Sequence, residues 1–324
     1  MSTLSVPAAP ARPRQARWTF LLHRWALIVW AALVVVSGGL LLWAAGPLAD
    51  EENRGWRQAE ACSRLSRCVV DMGLFNSVYG LMTTAMALLP LLVAAWAGAT
   101  LTARELESGT ALTAWTQGVT PVRWLAVQLA LPAAVLTVGT SLLVALHRFA
   151  WGAPDDHMGN RPTWWQPFTF HANGPTIVAA CLTALAVGAL TGLLVRRTLP
   201  ALGISVAASV LLLGGAHWLM PHLRTPVTEV GPFRDGYPGL YTGVEVAHGL
   251  VTRAGAHIPT PECRATSMDA CLRLYERHGG TGFYTTFHPA SHYWPLQLTT
   301  SALLLVVTAL LTAASFVVLR RRTG

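Results

Sequence analysis

The sequence predicts an all-α polytopic membrane protein: six transmembrane helices with both termini cytoplasmic, a short cytoplasmic helix between spans 2 and 3, and an external cap between spans 5 and 6. Three observations predict it. Six apolar runs of about 20 residues are each long enough to cross ~30 Å of hydrocarbon, and none of them contains Asp, Glu or Arg. Charged residues are 12% of the chain, against about 25% in soluble domains. Finally, the arginines are unevenly distributed. With the N-terminus inside, the inner segments hold Arg12, Arg14, Arg17, Arg24, Arg104, Arg123, Arg196, Arg197, Arg320, Arg321 and Arg322 against Glu105 and Glu107, which is +9, while the outer segments sum to −1. That asymmetry follows the positive-inside rule, so the net charge of +8 reports topology and calls for no nucleic-acid partner. No ten-residue in/out alternation supports a barrel.

In chain order, residues 1–11 have the Pro, Ala and Ser content of a disordered terminus, and residues 12–324 form one membrane domain. Arg12 to Arg24 mixes four arginines with Trp18, Phe20, Leu21 and Leu22, which suits either a helix lying on the inner leaflet or a plain positive flank. The first span covers Trp25 to Gly46. Its 22 residues exceed the 7–15 of a typical signal-peptide core, so it is read as retained. Ala49 to Asp71 is a polar loop holding Cys62 and Cys68. Span 2, Leu74 to Ala97, contains Pro90, which removes one helix hydrogen bond and favours a kink.

Thr102 to Gln117 then favours a short two-piece helix, with Gly109 permitting a break and Leu112, Trp115 and Val119 at helical spacing. Gly118 can end it, and Thr120-Pro121 reads as N-cap and first turn of the next helix. Such a piece presents both acids and Trp115 to the cytoplasm. On the residues alone it serves equally as an interfacial turn with solvated charges or as a docking knob for a soluble partner, Arg104 and Trp115 being residue types common at hot spots.

Span 3 runs from Trp124 to Leu146, and residues 147–174 form an outer interfacial loop with Trp151, Trp164 and Trp165. Span 4, Pro175 to Val195, places Ala184, Gly188 and Gly192 four apart on one face, where a neighbouring backbone can come close. That neighbour belongs either to this chain or to a second copy. Span 5 is Leu199 to Met220, and residues 221–293 make the external cap. The cap holds Cys263 and Cys271, and its cysteines, like Cys62 and Cys68, fall on the side where disulfides persist. Two local bridges are the natural pairing among three possible connectivities. Span 6 is Trp294 to Leu319, ahead of the Arg320–Arg322 tail.

Most site chemistries lack their residues. The pairs His288/His292 and His217/His222 suggest a metal, but Pro289 interrupts the first pair and no acid or cysteine lies within five residues of it. Neither a hydrolase motif nor a paired-carboxylate set is present, so no catalytic residue is assigned. The span interiors offer His217 as their one ionisable group, which disfavours ion coupling. Nor can the chain bind ATP through a P-loop, because it contains no lysine.

The run AGATLTARELESGTALTAWTQGVTPVRWLAVQ resembles the stretch after the second span in permease subunits of ABC-2 type ATP-binding-cassette exporters, particularly the actinobacterial six-span permeases. The match consists of Arg104, Glu105, Glu107, Gly109 and Thr110, then Trp115-Thr116-Gln117, then Thr120 and Arg123. HPASHYWPLQ, residues 288–297, is similar to the family's entry into its last span, with His292 where an Arg commonly stands. The resemblance implies that residues 102–117 form a coupling helix seated on a separate ATPase subunit, its site residues being Arg104, Glu105, Leu106, Glu107, Ser108, Gly109, Thr110, Trp115 and Gln117. It implies two ATPase subunits below a permease dimer, a homodimer by expectation, in the plasma membrane. ATP and Mg then sit on the partner and no cofactor on this chain. Span walls without formal charge suit a small apolar or amphiphilic cargo: a drug, an antibiotic or a lipid-like molecule. The alternative is a membrane receptor or scaffold with a ligand-binding cap and no transport.

Overall fold

A computed structural model describes residues 24–62, 73–155, 162–265 and 267–323. The expected disordered stretch 1–11, the segment 12–23 and Cys68 lie outside them, and with Cys68 the expected Cys62–Cys68 bridge. Six helices among the described residues are long and apolar enough to span a bilayer, and the chain is an all-α polytopic membrane protein whose cap adds a small sheet.

Span 1 is α1 (Arg24–Trp43), which continues through a wide-turned π stretch at Ala44–Leu48 into α2 (Ala49–Cys62). The expected polar loop from Ala49 is therefore helical for its first 14 residues. Asp50, Glu51 and Glu52 occupy the first turn of α2, where acids are favoured. Span 2 is α3 (Leu74–Trp96), prolonged by a π stretch at Ala97–Ala103 into α4 (Arg104–Glu107). After α5 (Thr110–Thr116) comes span 3, α6 (Pro121–Trp151), longer at both ends than its apolar run. The segment after span 3 includes a short helix, α7 (Pro167–Ala172). Spans 4 and 5 are α8 (Thr176–Val195) and α9 (Thr198–Leu219).

Helix α8 is the centre of the bundle: 78% of its apolar window is buried, against 11% for span 1. It packs on α3, α6, α9 and the last span. A helix apolar on every side belongs in such a position. Its small residues set the approach to span 2 within this same chain. A Cβ at Gly188 would lie 2.5 Å from Ala97 Cβ and 2.7 Å from the Gly98 nitrogen, and one at Gly192 would overlap Thr102 Oγ1 and stand 2.9 Å from the Ala103 nitrogen. Ala184, one turn earlier on that face, is buried as well. Thr102 Oγ1 donates to Ala189 O at 3.0 Å, so the seam is hydrogen-bonded as well as close-packed.

The cap is a four-stranded antiparallel sheet, β1 (Val227–Gly231), β2 (Val244–Thr252), β3 (His257–Ile258) and β4 (Gly280–His288), in the order β1-β4-β2-β3. One helix, α10 (Met268–Arg277), is capped by Ser267 and tied to the preceding loop by a Cys263–Cys271 disulfide with Cα atoms 5.6 Å apart. Phe233, Tyr237, Tyr275 and Phe283 gather beneath the sheet. Central strand β4 leads through Pro289 and one tight turn into span 6, α11 (Tyr293–Thr323), so the sheet hangs directly from a membrane helix. At the far end of α11, Arg322 donates to Leu193 O at 2.5 Å and closes the C-terminal turn of α8.

Candidate functional site

The turns around residues 104–120 follow from their glycines. Gly109, at φ +75°, breaks the helix between α4 and α5, and Gly118, at φ +88°, ends α5 in the left-handed conformation that costs glycine nothing. Thr120 Oγ1 accepts from Arg123 N at 3.3 Å and Pro121 takes the first helical position, which starts α6. The result is a helical hairpin continuous with span 2 and joined to span 3 by a short turn.

Inside the hairpin the two acids have opposite fates, which corrects the expectation that both are presented to solvent. Glu105 is buried. It accepts from Trp124 Nε1 at 2.8 Å and from Gln128 Nε2, so its carboxylate clamps α4 to the first two turns of α6. Thr110 Oγ1 donates to Glu105 O at 3.2 Å and draws α5 back onto α4. Glu107 is exposed and accepts from the Thr198 backbone N at 2.8 Å and from its Oγ1 at 2.5 Å. It thereby caps the N-terminus of α9 from another helix, a favourable place for a carboxylate.

Trp115 is also turned inward. Its ring packs edge-on to Trp124 at 5.8 Å and its indole N–H is buried without a partner. The physical reason is the short α5: with Trp124 at the start of α6, the two indoles cover each other and shield Glu105 from water. Leu106 and Val119 pack on the same core. The residues left outside are Arg104, Ser108, Thr110, Gln117 and, most prominently, Leu112, 58% exposed at the hairpin tip. Leu112 is legible in the sequence only as one member of an apolar stripe, of which Trp115 and Val119 pack on the core and Leu112 does not.

A polar belt crosses the bundle at the opposite end. His147, one residue past the apolar run of span 3, is fully buried within α6, so His217 is not the only ionisable group in the spans. Its Nε2 lies 2.8 Å from Thr83 Oγ1 and its Nδ1 2.7 Å from Asn173 Oδ1, with Tyr79 stacked on the ring. His171 of α7 faces His217 at 3.2 Å, at the edge of an apolar cavity of about 300 Å³ lined in part by Pro90, Ala180 and Leu304. Burial, and then the neighbouring His217, hold the His171 pKa down to about 4. His288 and His292 meet through their Nδ1 atoms at 3.1 Å, and His288 Nε2 lies 2.8 Å from the Pro221 carbonyl oxygen. Among the described residues no group of three or more His, Cys, Asp or Glu could hold a metal ion.

The family model described as ABC-2 membrane transporter related matches residues 16–221, well over half of the chain and including the whole hairpin. No curated protein and no solved structure matches it.

Proposed function

The chain belongs to the ABC-2 membrane transporter related family and is a permease subunit of an ABC transporter; from that premise we propose that it forms the translocation pathway of an exporter for small apolar or amphiphilic molecules. Its energy comes from two separate ATPase subunits that dock on the 104–117 hairpin, with ATP and Mg bound on those subunits. The hairpin faces the cytoplasm, as do both termini, and the functional unit holds two copies of this chain in the plasma membrane.

One observation carries the reading: the hairpin is bonded to three spans. It is the continuation of span 2, Glu105 holds it to span 3, and Glu107 holds it to span 5. A soluble domain pushing on Leu112 and Arg104 therefore moves three membrane helices together, which is what conversion of nucleotide binding into an inward–outward transition requires. A solvated turn needs none of these ties.

Leu112→Glu in the full chain, co-expressed with a candidate ABC ATPase, tests the docking role. Leu112 is exposed, so the variant keeps its thermal stability, yet recovery of the ATPase with the chain falls at least about tenfold, as loss of a hot-spot side chain does. Undiminished recovery and cargo-stimulated hydrolysis would refute the docking role. A receptor or scaffold predicts ligand binding without transport, and ATP-dependent cargo movement in vesicles disposes of it.

A further inference from the structure

Helix α6 is 31 residues long, so its last turn lies about 40 Å from the hairpin. In that turn Arg148 is part-buried among aromatic rings. Its guanidinium carbon stands 4.9 Å from the Trp294 ring centroid and 5.4 Å from that of Tyr293. Nη1 donates to Asn173 O at 3.4 Å and to Tyr293 Oη at 3.3 Å. Both acceptors are neutral, and among the described residues no carboxylate lies within ion-pair distance of Arg148. Among the described residues no bond to Nε or Nη2 is present.

A cavity of about 210 Å³ opens here, lined among others by Arg148, Trp151, Trp164, Ala290, Tyr293 and Trp294. A guanidinium drawn part-way out of water needs compensation, and ring faces supply only a fraction of what an oxyanion would. Its unspent edge has the fork geometry that fits phosphate or carboxylate oxygens. Aromatic walls cover the methylene groups next to such a head, and Trp294, about half exposed, continues the apolar surface outward for a tail. The cavity is too small for a whole lipid and adequate for a head with its first methylenes.

We propose that Arg148 and the aromatic box of Trp151, Trp164, Tyr293 and Trp294 form a binding seat for the oxyanion headgroup of an amphiphile. The seat stands apart from the hairpin and does not depend on ATPase docking. Its chemistry is shared by an anionic bilayer lipid and by an anionic single-chain amphiphile.

The test titrates the full chain, in a neutral maltoside detergent, with dodecyl phosphate, dioleoyl phosphatidic acid, inorganic phosphate and dodecanol, read by calorimetry and tryptophan fluorescence. Arg148→Gln removes the cation. Ala290→Trp fills the cavity from an exposed position and leaves Arg148 in place. Either phosphate amphiphile binds, and both variants weaken it at least about tenfold, the loss of a charge-assisted hydrogen bond or more, while dodecanol is unaffected. Preference for phosphatidic acid assigns the seat to bilayer lipid, and preference for dodecyl phosphate to a free amphiphile; both support the proposal. Unchanged affinity in Arg148→Gln overturns it, and should that variant not fold, unchanged affinity in Ala290→Trp does so. Equal binding of dodecanol, or of inorganic phosphate, overturns it as well.

Discussion

Glu105 has two partners that come from another helix, and both lose their acceptor if its carboxylate goes. Glu105→Ala takes from the buried Trp124 Nε1 its acceptor, at a cost of about 1–3 kcal/mol, and removes one hydrogen bond of Gln128 as well. Glu105→Gln keeps one acceptor oxygen and sits between Ala and the native residue. The ordering native, Gln, Ala in thermal stability of the detergent-solubilised chain checks this, and an Ala variant as stable as the native chain would remove the clamp from the account. Only part of this was legible beforehand. Glu105 was marked by the family pattern, but its partners stand 19 and 23 residues away, and a contact at that separation exists only after the turns at Gly109 and Gly118 have folded. Trp124 and Gln128 lie four apart, on one face of span 3, and that face was the available signal. His147 was missed for a simpler reason: it follows the last apolar residue of its run, and the helix does not stop where the run does.

Elements were read most surely where length and apolarity alone decide them, and least surely where polar residues extend them. All six spans follow from runs that must satisfy their own backbone in lipid. The helical extension through Ala49–Cys62 and the π stretch at Ala97–Ala103 do not, because neither depends on the composition of a window. The sheet order in the cap depends on pairing between β1 and β4, whose partners run from Val227↔Phe287 to Gly231↔Phe283, a separation no local pattern encodes. The seam between α8 and span 2 lies between these cases. The spacing of Gly188 and Gly192 indicated a close approach, and the neighbour it left open is the segment that leads into the hairpin. Gly192→Ala must push Thr102 and Ala103 away, an overpacking cost of about 1–3 kcal/mol. The expected result is a lowered melting temperature and weaker ATPase stimulation in the same variant. Gly203→Ala, at a helix site with nothing within 4 Å of the added Cβ, is the control that lowers neither.

Across the whole molecule, both helices that carry the hairpin are interrupted at a similar depth. Pro90 in span 2 is 14 residues before Arg104 and Pro132 in span 3 is 11 after Pro121, about 21 Å and 17 Å along their axes. Each proline removes a helix hydrogen bond and leaves a place where the helix bends at low cost. Below that depth, the hairpin, its Glu105 clamp and the Glu107 cap on α9 form one braced unit. Above it, the His147 network ties spans 2 and 3 to Asn173. Under the proposed docking role, a push from below would tilt the lower unit and change the space between spans 2, 4, 5 and 6, where the 300 Å³ cavity lies. Straightening both helices with Pro90→Ala and Pro132→Ala is expected, if the ATPase docks as proposed, to preserve its binding and basal hydrolysis while ATP-driven cargo movement in vesicles falls several-fold. The double variant should lose more than either single one, because one intact bend still lets part of the unit move. Transport that stays at the native level in the double variant would mean that motion reaches the cavity by another route, through α9 and its Glu107 cap, and Thr198→Ala would then be the substitution that uncouples hydrolysis from transport.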